Sequence, residues 1–435
     1  MAPPVQPTSS SPAAASSQSQ GRLALAPFKT PAFRWQWPAD LSTAWALEME
    51  TLILGWYVLV ESGSVVMLTV FGALMYVGTL LSPLIGTLGD RIGLRRLLTG
   101  MRLVYALLAC TVLVMAATDT LSPAPVLVVA FVVGLIKPSD IGMRTALVSA
   151  TVPPAQLVAA VGISRTTQDS ARIGGALAGA GFMASLGMVS AYVLIAGLYL
   201  MSAALTWRSG RALAAAAPLQ TAPVARRASP LQELKEGLRH VWHTPHLRAA
   251  MALAALVNLC AFPLSGGLMP YIARDVFGLD QQGLGWLVAS WATGALLGSL
   301  AMGAFGGRLR PGRTMLVSCG LWYLILLGLA LPIGVETAMA LYFGAGLVQS
   351  QSMLALSVIL LRTTDERFRG RVMGVRMLAI YTLPIGLLAA GALISRVGFA
   401  ALVVLYVGLG LLALAVLAWV WRQELWARQA RANAV

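Results

Sequence analysis

The basic residues of this chain fall in alternate gaps between long apolar runs, and no other feature restricts the fold as tightly. Connectors around 61–64, 118–123, 184–189, 274–281, 333–336 and 395–398 hold only Arg274 and Arg396. The complementary set is 1–37, 89–98, 144–156, 208–248, 307–313, 362–371 and the tail from 422. It holds 24 of the 31 Lys and Arg, and the other five lie inside the runs. Positive charge is retained on the cytoplasmic side during insertion, so the alternation orients every run. The pattern predicts an all-α membrane protein with twelve transmembrane helices and both termini cytoplasmic. The expected location is the inner (plasma) membrane.

Each run is long enough for a hydrocarbon core of about 30 Å. The expected limits are 39–60, 65–88, 97–117, 124–143, 157–183, 190–207, 249–273, 282–306, 314–332, 337–361, 372–394 and 399–421. The runs are continuous rather than alternating in polarity, which argues against membrane strands. Of 435 residues, 58% are hydrophobic and 11% charged, against about 25% charged in a soluble domain. The net charge of +15 sits at membrane-adjacent loops, where anionic headgroups and topology account for it. No basic stripe carries interleaved aromatics, so no nucleic-acid partner is expected. Cys110, Cys260 and Cys319 lie in three different runs and are expected to be small packing residues. His240, His243 and His246 are interrupted by Pro245 and have no cysteine or carboxylate among them. No metal site is expected there.

The chain divides into a disordered cytoplasmic tail (1–38), a first six-helix bundle (39–207), a cytoplasmic linker (208–248), a second bundle (249–421) and a final tail (422–435). Within the linker, Leu231, Leu234, Leu238 and Val241 fall on one face of a short helix expected to lie along the membrane surface. The two bundles echo each other. Gly86-Thr-Leu-Gly-Asp-Arg-Ile-Gly-Leu-Arg95 follows span two, and Gly303-Ala-Phe-Gly-Gly-Arg-Leu-Arg310 follows span eight. Ala171-Arg-Ile-Gly-Gly-Ala-Leu-Ala-Gly179 in span five recurs as Leu383-Pro-Ile-Gly-Leu-Leu-Ala-Ala-Gly391 in span eleven. Both pairs are separated by nearly the same length of chain. The spacing indicates a duplicated unit, a construction common in secondary transporters, whose substrate path lies between the repeats.

At these segments the chain resembles the major facilitator superfamily. The loop after span two follows that family's G-x-L-x-D-R-x-G-R-K signature at Gly86, Leu88, Asp90, Arg91, Gly93 and Arg95, with Leu94 in place of the first closing basic residue. Met143-Arg-Thr-Ala-Leu-Val, the Ala171–Gly179 segment, Glu236-Gly-Leu-Arg and Arg369-Gly-Arg-Val-Met-Gly374 look most like the macrolide-efflux and enterobactin-exporter branch. The resemblance implies the major facilitator fold, two pseudo-symmetric six-helix bundles. The spans hold no histidine, no metal-ligand spacing and no nucleophile elbow, so no enzymatic activity is expected. The resemblance also assigns a gating role to the loop of Gly86, Asp90, Arg91, Gly93 and Arg95. A carboxylate there can accept hydrogen bonds from a neighbouring helix N-terminus when the inner ends meet. An Asp90→Asn variant with unchanged transport would remove that role. Two departures bear on mechanism. The G-P-x-x-G-G of antiporters lacks its proline, since Ala176 follows Gly175, and Gly307 stands where the first half has Asp90.

Charge inside the spans is the better guide to the pathway, because each such group costs about 2.5–3.5 kcal/mol on insertion scales. Spans one, four and five carry Glu48, Glu50, Lys137, Asp140, Arg165, Asp169 and Arg172. Spans six, nine and twelve carry none. Arg165, Asp169 and Arg172 are spaced i, i+4, i+7 and share a helical face. Glu48 and Glu50 point to nearly opposite faces, so one of them projects squarely into a cavity. Lys137 and Asp140, at i and i+3, are placed to pair across Pro138. Trp56, Tyr57, Trp291, Tyr323 and Tyr381 are candidate stacking surfaces. Gly175-x-x-x-Gly179 and Gly294-x-x-x-Gly298 are expected at helix contacts.

The reading that follows is secondary active export of a small amphiphilic solute, drug-like or siderophore-like, by alternating access. The proton gradient is the expected drive, with no cofactor. The partners are then the substrate, protons and the bilayer, and the chain is expected to act as a monomer. A carboxylate moved between a dry site and an arginine-paired one would take up and release a proton. Uptake by symport, or lysolipid movement between leaflets, is the alternative. No G-x-x-x-x-G-K-[ST] segment supports ATP drive.

Overall fold

The computed structural model describes residues 26–79, 92–153, 156–215, 230–305, 310–364 and 366–422. Gly86, Asp90 and Arg91 of the expected gating loop lie outside the described residues. Among the described residues, ten helices are long and apolar enough to cross a membrane, and a shorter apolar helix occupies Val65–Thr79. One of the ten, within Leu157–Ala215, breaks at Gly187, whose φ of 77° leaves the helical region inside the expected connector 184–189. It therefore supplies spans five and six, and twelve crossings result. A left-handed φ carries no Cβ penalty only at glycine, which is why the reversal falls there.

The remaining crossings are span one at Pro31–Ser62, three at Leu94–Ala117, four at Pro123–Thr151 and eight at Gln281–Phe305. Nine is Pro311–Leu327, ten Val335–Arg362 and twelve Phe399–Val420. Two expectations shift. Span one begins at Pro31, inside the segment assigned to a disordered tail, because Phe33 buries against Val148, Val152 and Ala160 with Phe28 and Trp37 packed around them. Span four continues to Thr151, so Arg144 belongs to the helix and not to a connector.

Spans seven and eleven are interrupted. Span seven runs as Pro245–Cys260 and then in π-type turns at Pro263–Gly267 and Ile272–Val276 around a short α turn, Met269–Tyr271. Pro263 and Pro270 remove two backbone donors there. The Leu264 carbonyl beside Pro263 accepts a hydrogen bond from the Tyr342 hydroxyl at 3.0 Å. Span eleven is Glu366–Ile380 followed by Thr382–Val397, broken just ahead of Pro384. Broken helices inside a bilayer persist where neighbours satisfy the freed groups.

The duplication is visible in how helices touch. A Cβ on Gly134 would overlap the Leu74 carbonyl, and one on Gly346 would overlap the Trp291 carbonyl. The first pair joins spans four and two, the second spans ten and eight. Gly174 lies against Trp45 of span one, and its repeat counterpart Gly386 lies against Leu259 of span seven. Gly175 and Gly179 press on Glu48 and Met49, and Gly294 and Gly298 on Phe343 and Leu347. Close backbone approach is thus the use made of both small-residue motifs.

The linker helix, Pro230–His243, does more than lie along a surface. Glu236 pairs with Arg371 at 2.7 Å, and His240 stacks on Phe368 with centroids 4.3 Å apart. Gly237 lets the helix backbone reach the Arg371 carbonyl. Val241 is buried, whereas Leu238, expected on the same face, is exposed.

Candidate functional site

Below, the basic face is the side carrying 92–96, 144–152, 230–248 and 362–371, and the opposite face carries the charge-poor connectors. The bundles meet in the half nearer the opposite face. Arg274 of span seven donates to the Leu59 carbonyl of span one at 2.8 Å. Gly72 approaches Leu387, Gly391 approaches Thr69, and Gly285 approaches Ala180. At mid-membrane the Arg172 guanidinium lies 5.3 Å from the Trp291 ring centroid.

Enclosed by these contacts is a chamber of about 430 Å³ between the bundles. From the first bundle it takes Glu48, Lys137, Arg144, Gln168, Arg172 and Tyr76 among others. From the second it takes Phe262, Ser265, Gly267, Met269, Trp291 and Leu387. The described charges of the lining all come from the first bundle. Toward the basic face the wall continues through Ile141, which is 41% exposed. Arg144 and Gln168 also border a smaller pocket of about 40 Å³ with Trp37 and Asp40.

Of the span-one glutamates, Glu48 is the one that lines the chamber. Its Oε1 lies 4.0 Å from Arg172 Nε. Glu50 is 2% exposed and turns into the first bundle. There its Oε2 accepts a hydrogen bond from the Tyr199 hydroxyl at 2.7 Å, while Oε1 has no hydrogen-bond partner among the described residues. Tyr105 and Tyr192, also wholly buried, have hydroxyls with no partner among the described residues, and the Tyr105 and Tyr199 rings are 5.4 Å apart. A step of two positions along the helix thus places one carboxylate at a wetted wall and the other in a dry nest.

On span five the expected stripe is an ion-pair chain. Arg165 lies 3.4 Å from Asp169, and Asp169 lies 4.0 Å from Arg172. Arg165 does not line the chamber; its side chain is 58% exposed. Asp169 is largely buried beneath the two arginines and also stays off the wall.

Lys137 does not pair with Asp140. Asp140, fully buried, instead lies 3.1 Å from Arg144 Nε one turn on, with an orientation too poor for a hydrogen bond. Pro138 leaves the Gly134 carbonyl without its helical donor, and that carbonyl is met closely by Gly78 of span two. The interruption is absorbed in packing.

Asp40 and Arg144 escape the sequence reading. Asp40 stands at the edge of an expected span, and Arg144 falls in an expected basic connector. Asp40 is buried against Arg102 of span three, which also donates to Thr206 of span six. Arg102, the lone charge of span three, was the available signal, since a buried guanidinium needs a counter-ion. Of the aromatic candidates only Trp291 reaches the chamber, where its indole N–H donates to Gln349 at 2.7 Å. Tyr57 and Tyr323 donate to the backbone of Leu121 and Leu256. Of the gating loop, Gly93 is described with φ of 91° and ends the turn into span three. Arg95 lies in the first turn of that span.

Twelve crossings, paired repeats and a chamber on the bundle interface are the construction of a membrane transporter. The sequence profile of the Major Facilitator Superfamily matches residues 43–280 and again 251–433. The chain belongs to that family. It is 28% identical over 174 residues to the multidrug efflux pump Tap of Mycolicibacterium fortuitum, a match covering 39% of this chain and 41% of that protein. Among solved structures it resembles a bacterial homologue of the human lysosomal transporter Spinster in an inward-facing, unoccupied conformation. The TM-score is 0.70 at 14% identity, covering 93% of this chain and all of the other. The nucleoside transporter NupG gives a TM-score of 0.66 at 14% identity over 92% of this chain and all of that one. A bacterial homologue of the iron transporter ferroportin in its inward-facing state gives 0.67 at 16% over 91% and 99%. At these identities the likeness speaks for the fold.

Proposed function

We propose that this chain is a secondary active exporter of small amphiphilic molecules, drug-like or siderophore-like, working by alternating access and proton antiport. It would act as a monomer in the inner membrane, with both termini in the cytoplasm. The observation that carries this reading is the chamber itself: polar on one wall, apolar on the other, and capped by inter-bundle contacts on the charge-poor face. That arrangement corresponds to a state loaded from the basic, cytoplasmic side. Partial identity to a multidrug efflux pump supports the outward direction.

Proton coupling rests on the pair of span-one carboxylates. Glu48 meets the aqueous chamber beside Arg172, and Glu50 sits in a dry tyrosine nest. A rocking motion that exchanges wet, arginine-paired and dry surroundings changes proton affinity. The test is transport in proteoliposomes with an imposed pH gradient, for wild type, Glu48→Gln, Glu50→Gln and Asp169→Asn. At least one variant should lose accumulation against a gradient while still equilibrating substrate. Full coupling in all three rules out the proton mechanism. A wild type that moves no solute of a drug, siderophore and lysolipid panel rules out export.

A further inference from the structure

The chamber's two walls differ in kind, and the difference narrows the substrate. The second bundle offers Phe262, Met269, Val288, Trp291 and Leu387 with no described charge. The first bundle offers Lys137, Arg144 and Arg172 against a single lining carboxylate, Glu48. The other carboxylates are engaged away from the chamber. Asp40 is held by Arg102, Asp140 by Arg144, Asp169 by Arg165 and Arg172, and Glu50 by Tyr199.

Lys137 differs from the arginines. Among the described residues its ammonium has no hydrogen bond and no carboxylate within 4.0 Å. Glu48 and Glu50 act on it only from further away. Glu48 is itself committed to Arg172 at 4.0 Å. A cationic solute would have to displace that arginine and sit against like charge. A solute with an anionic head meets an ammonium whose three donors are unused.

We infer that the chamber selects amphiphiles bearing a carboxylate or comparable anionic head, which docks on Lys137 while the apolar body lies against the second bundle. This rests on the transporter reading above and names the substrate class of the same site. Arg144 and Arg172 reinforce the head site as fixed positive charge, each already holding a carboxylate. The indole of Trp291, 5.3 Å from the Arg172 guanidinium, is part of the body site's wall.

The experiment uses three probes with one fluorophore: dansyl-leucine, its methyl ester and dansylcadaverine, which are anionic, neutral and cationic. Binding to the purified full chain in nanodiscs is read by energy transfer from tryptophan. Dansyl-leucine should bind tightest. Lys137→Gln should weaken it about 10- to 150-fold, the range of one charge-assisted hydrogen bond, leave the ester unchanged and bind the cation no less tightly. Lys137→Arg should restore most of the affinity. Glu48→Gln, which removes the one carboxylate lining the chamber, should strengthen dansyl-leucine, and this arm stands even if the lysine variants fold poorly. Equal binding of acid and ester, tighter binding of the cation, a preference unchanged in Lys137→Gln, or no binding of any probe would each overturn the inference. A Lys137-dependent preference in a protein that transports nothing in vesicles would instead remove the export reading and leave the site intact.

Discussion

Neutralising one member of the Asp40–Arg102 pair should be among the most damaging single changes available in the first bundle. Arg102 has no exposed surface, and its guanidinium bridges Asp40 of span one and Thr206 of span six. Asp40→Asn keeps the side chain's shape and leaves the guanidinium buried without a counter-ion. Breaking a buried pair from one side costs about 3–5 kcal/mol. The reverse change should cost less, because a carboxyl can shed its charge by taking a proton and a guanidinium cannot. Arg102→Met combined with Asp40→Asn removes both charges, and that double variant should sit close to wild type. A unit of about 150–250 residues loses about 2–4 °C per kcal/mol, so Asp40→Asn should lower the midpoint on the order of 10 °C. Thermal unfolding followed by tryptophan fluorescence in nanodiscs, run as a double-mutant cycle, measures the coupling directly. Additive effects, with each single variant within about 1 kcal/mol of wild type, would refute the claim that the pair ties three spans together.

The helix contacts make sharper steric predictions. Gly134→Ala places a methyl against the Leu74 backbone and should destabilise by about 1–3 kcal/mol, whereas Gly142→Ala meets nothing within 4 Å and should be neutral or stabilising by up to about 1 kcal/mol; parallel melting curves compare the two. Gly237→Val should lift the linker helix from the Arg371 backbone, seen as faster hydrogen exchange across Pro230–His243. Glu236→Ala removes a half-exposed ion pair and should change stability by about 1 kcal/mol or less; a larger loss would mean that this pair, rather than packing, holds the helix.

How much was readable beforehand depends on what each signal measures. The crossings, the Gly187 reversal and the glycine contacts follow from hydrophobic length and from backbone geometry, both local properties. The charged spans were legible too, because the insertion cost marks each residue regardless of partner. Partnership was not legible. Asp140 has Lys137 and Arg144 on the same face at i−3 and i+4, and helical spacing alone gives no reason to choose. The choice is made by neighbouring spans, which bury Asp140 with Arg144 and leave Lys137 at the chamber wall. Likewise i and i+2 says that Glu48 and Glu50 diverge, but only Tyr199, far along the chain on span six, decides which one enters the bundle. The tail boundary falls too late because Pro31 and Pro38 bracket the segment and continue the proline-rich stretch before it, while Phe33 finds its pocket from spans four and five.

The repeat provides a test of whether these charges serve transport or folding. Gly134 and Gly346 make equivalent contacts in the two halves, and the offset between them carries Lys137, Asp140 and Arg144 onto Gln349, Ser352 and Leu356. It carries Arg165, Asp169 and Arg172 onto Met377, Tyr381 and Pro384. The second bundle forms the same helix pairs with none of this charge. Ser352 there donates to the Met315 carbonyl at 3.1 Å, and Leu356 is fully buried. Its packing shows that the architecture needs no ionised group at these places, so their insertion cost must be offset by something other than stability. Grafting the sister residues, Lys137→Gln with Asp140→Ser and Arg144→Leu, tests this. Replacing a buried ion pair by apolar or small groups is often neutral or stabilising, by about 1–4 kcal/mol. The triple variant should therefore insert, purify as a monodisperse species and melt at or above the wild-type midpoint, while solute movement in proteoliposomes falls to the protein-free level. Failure to fold would return these residues to a structural role, and undiminished transport would place the pathway somewhere other than this wall.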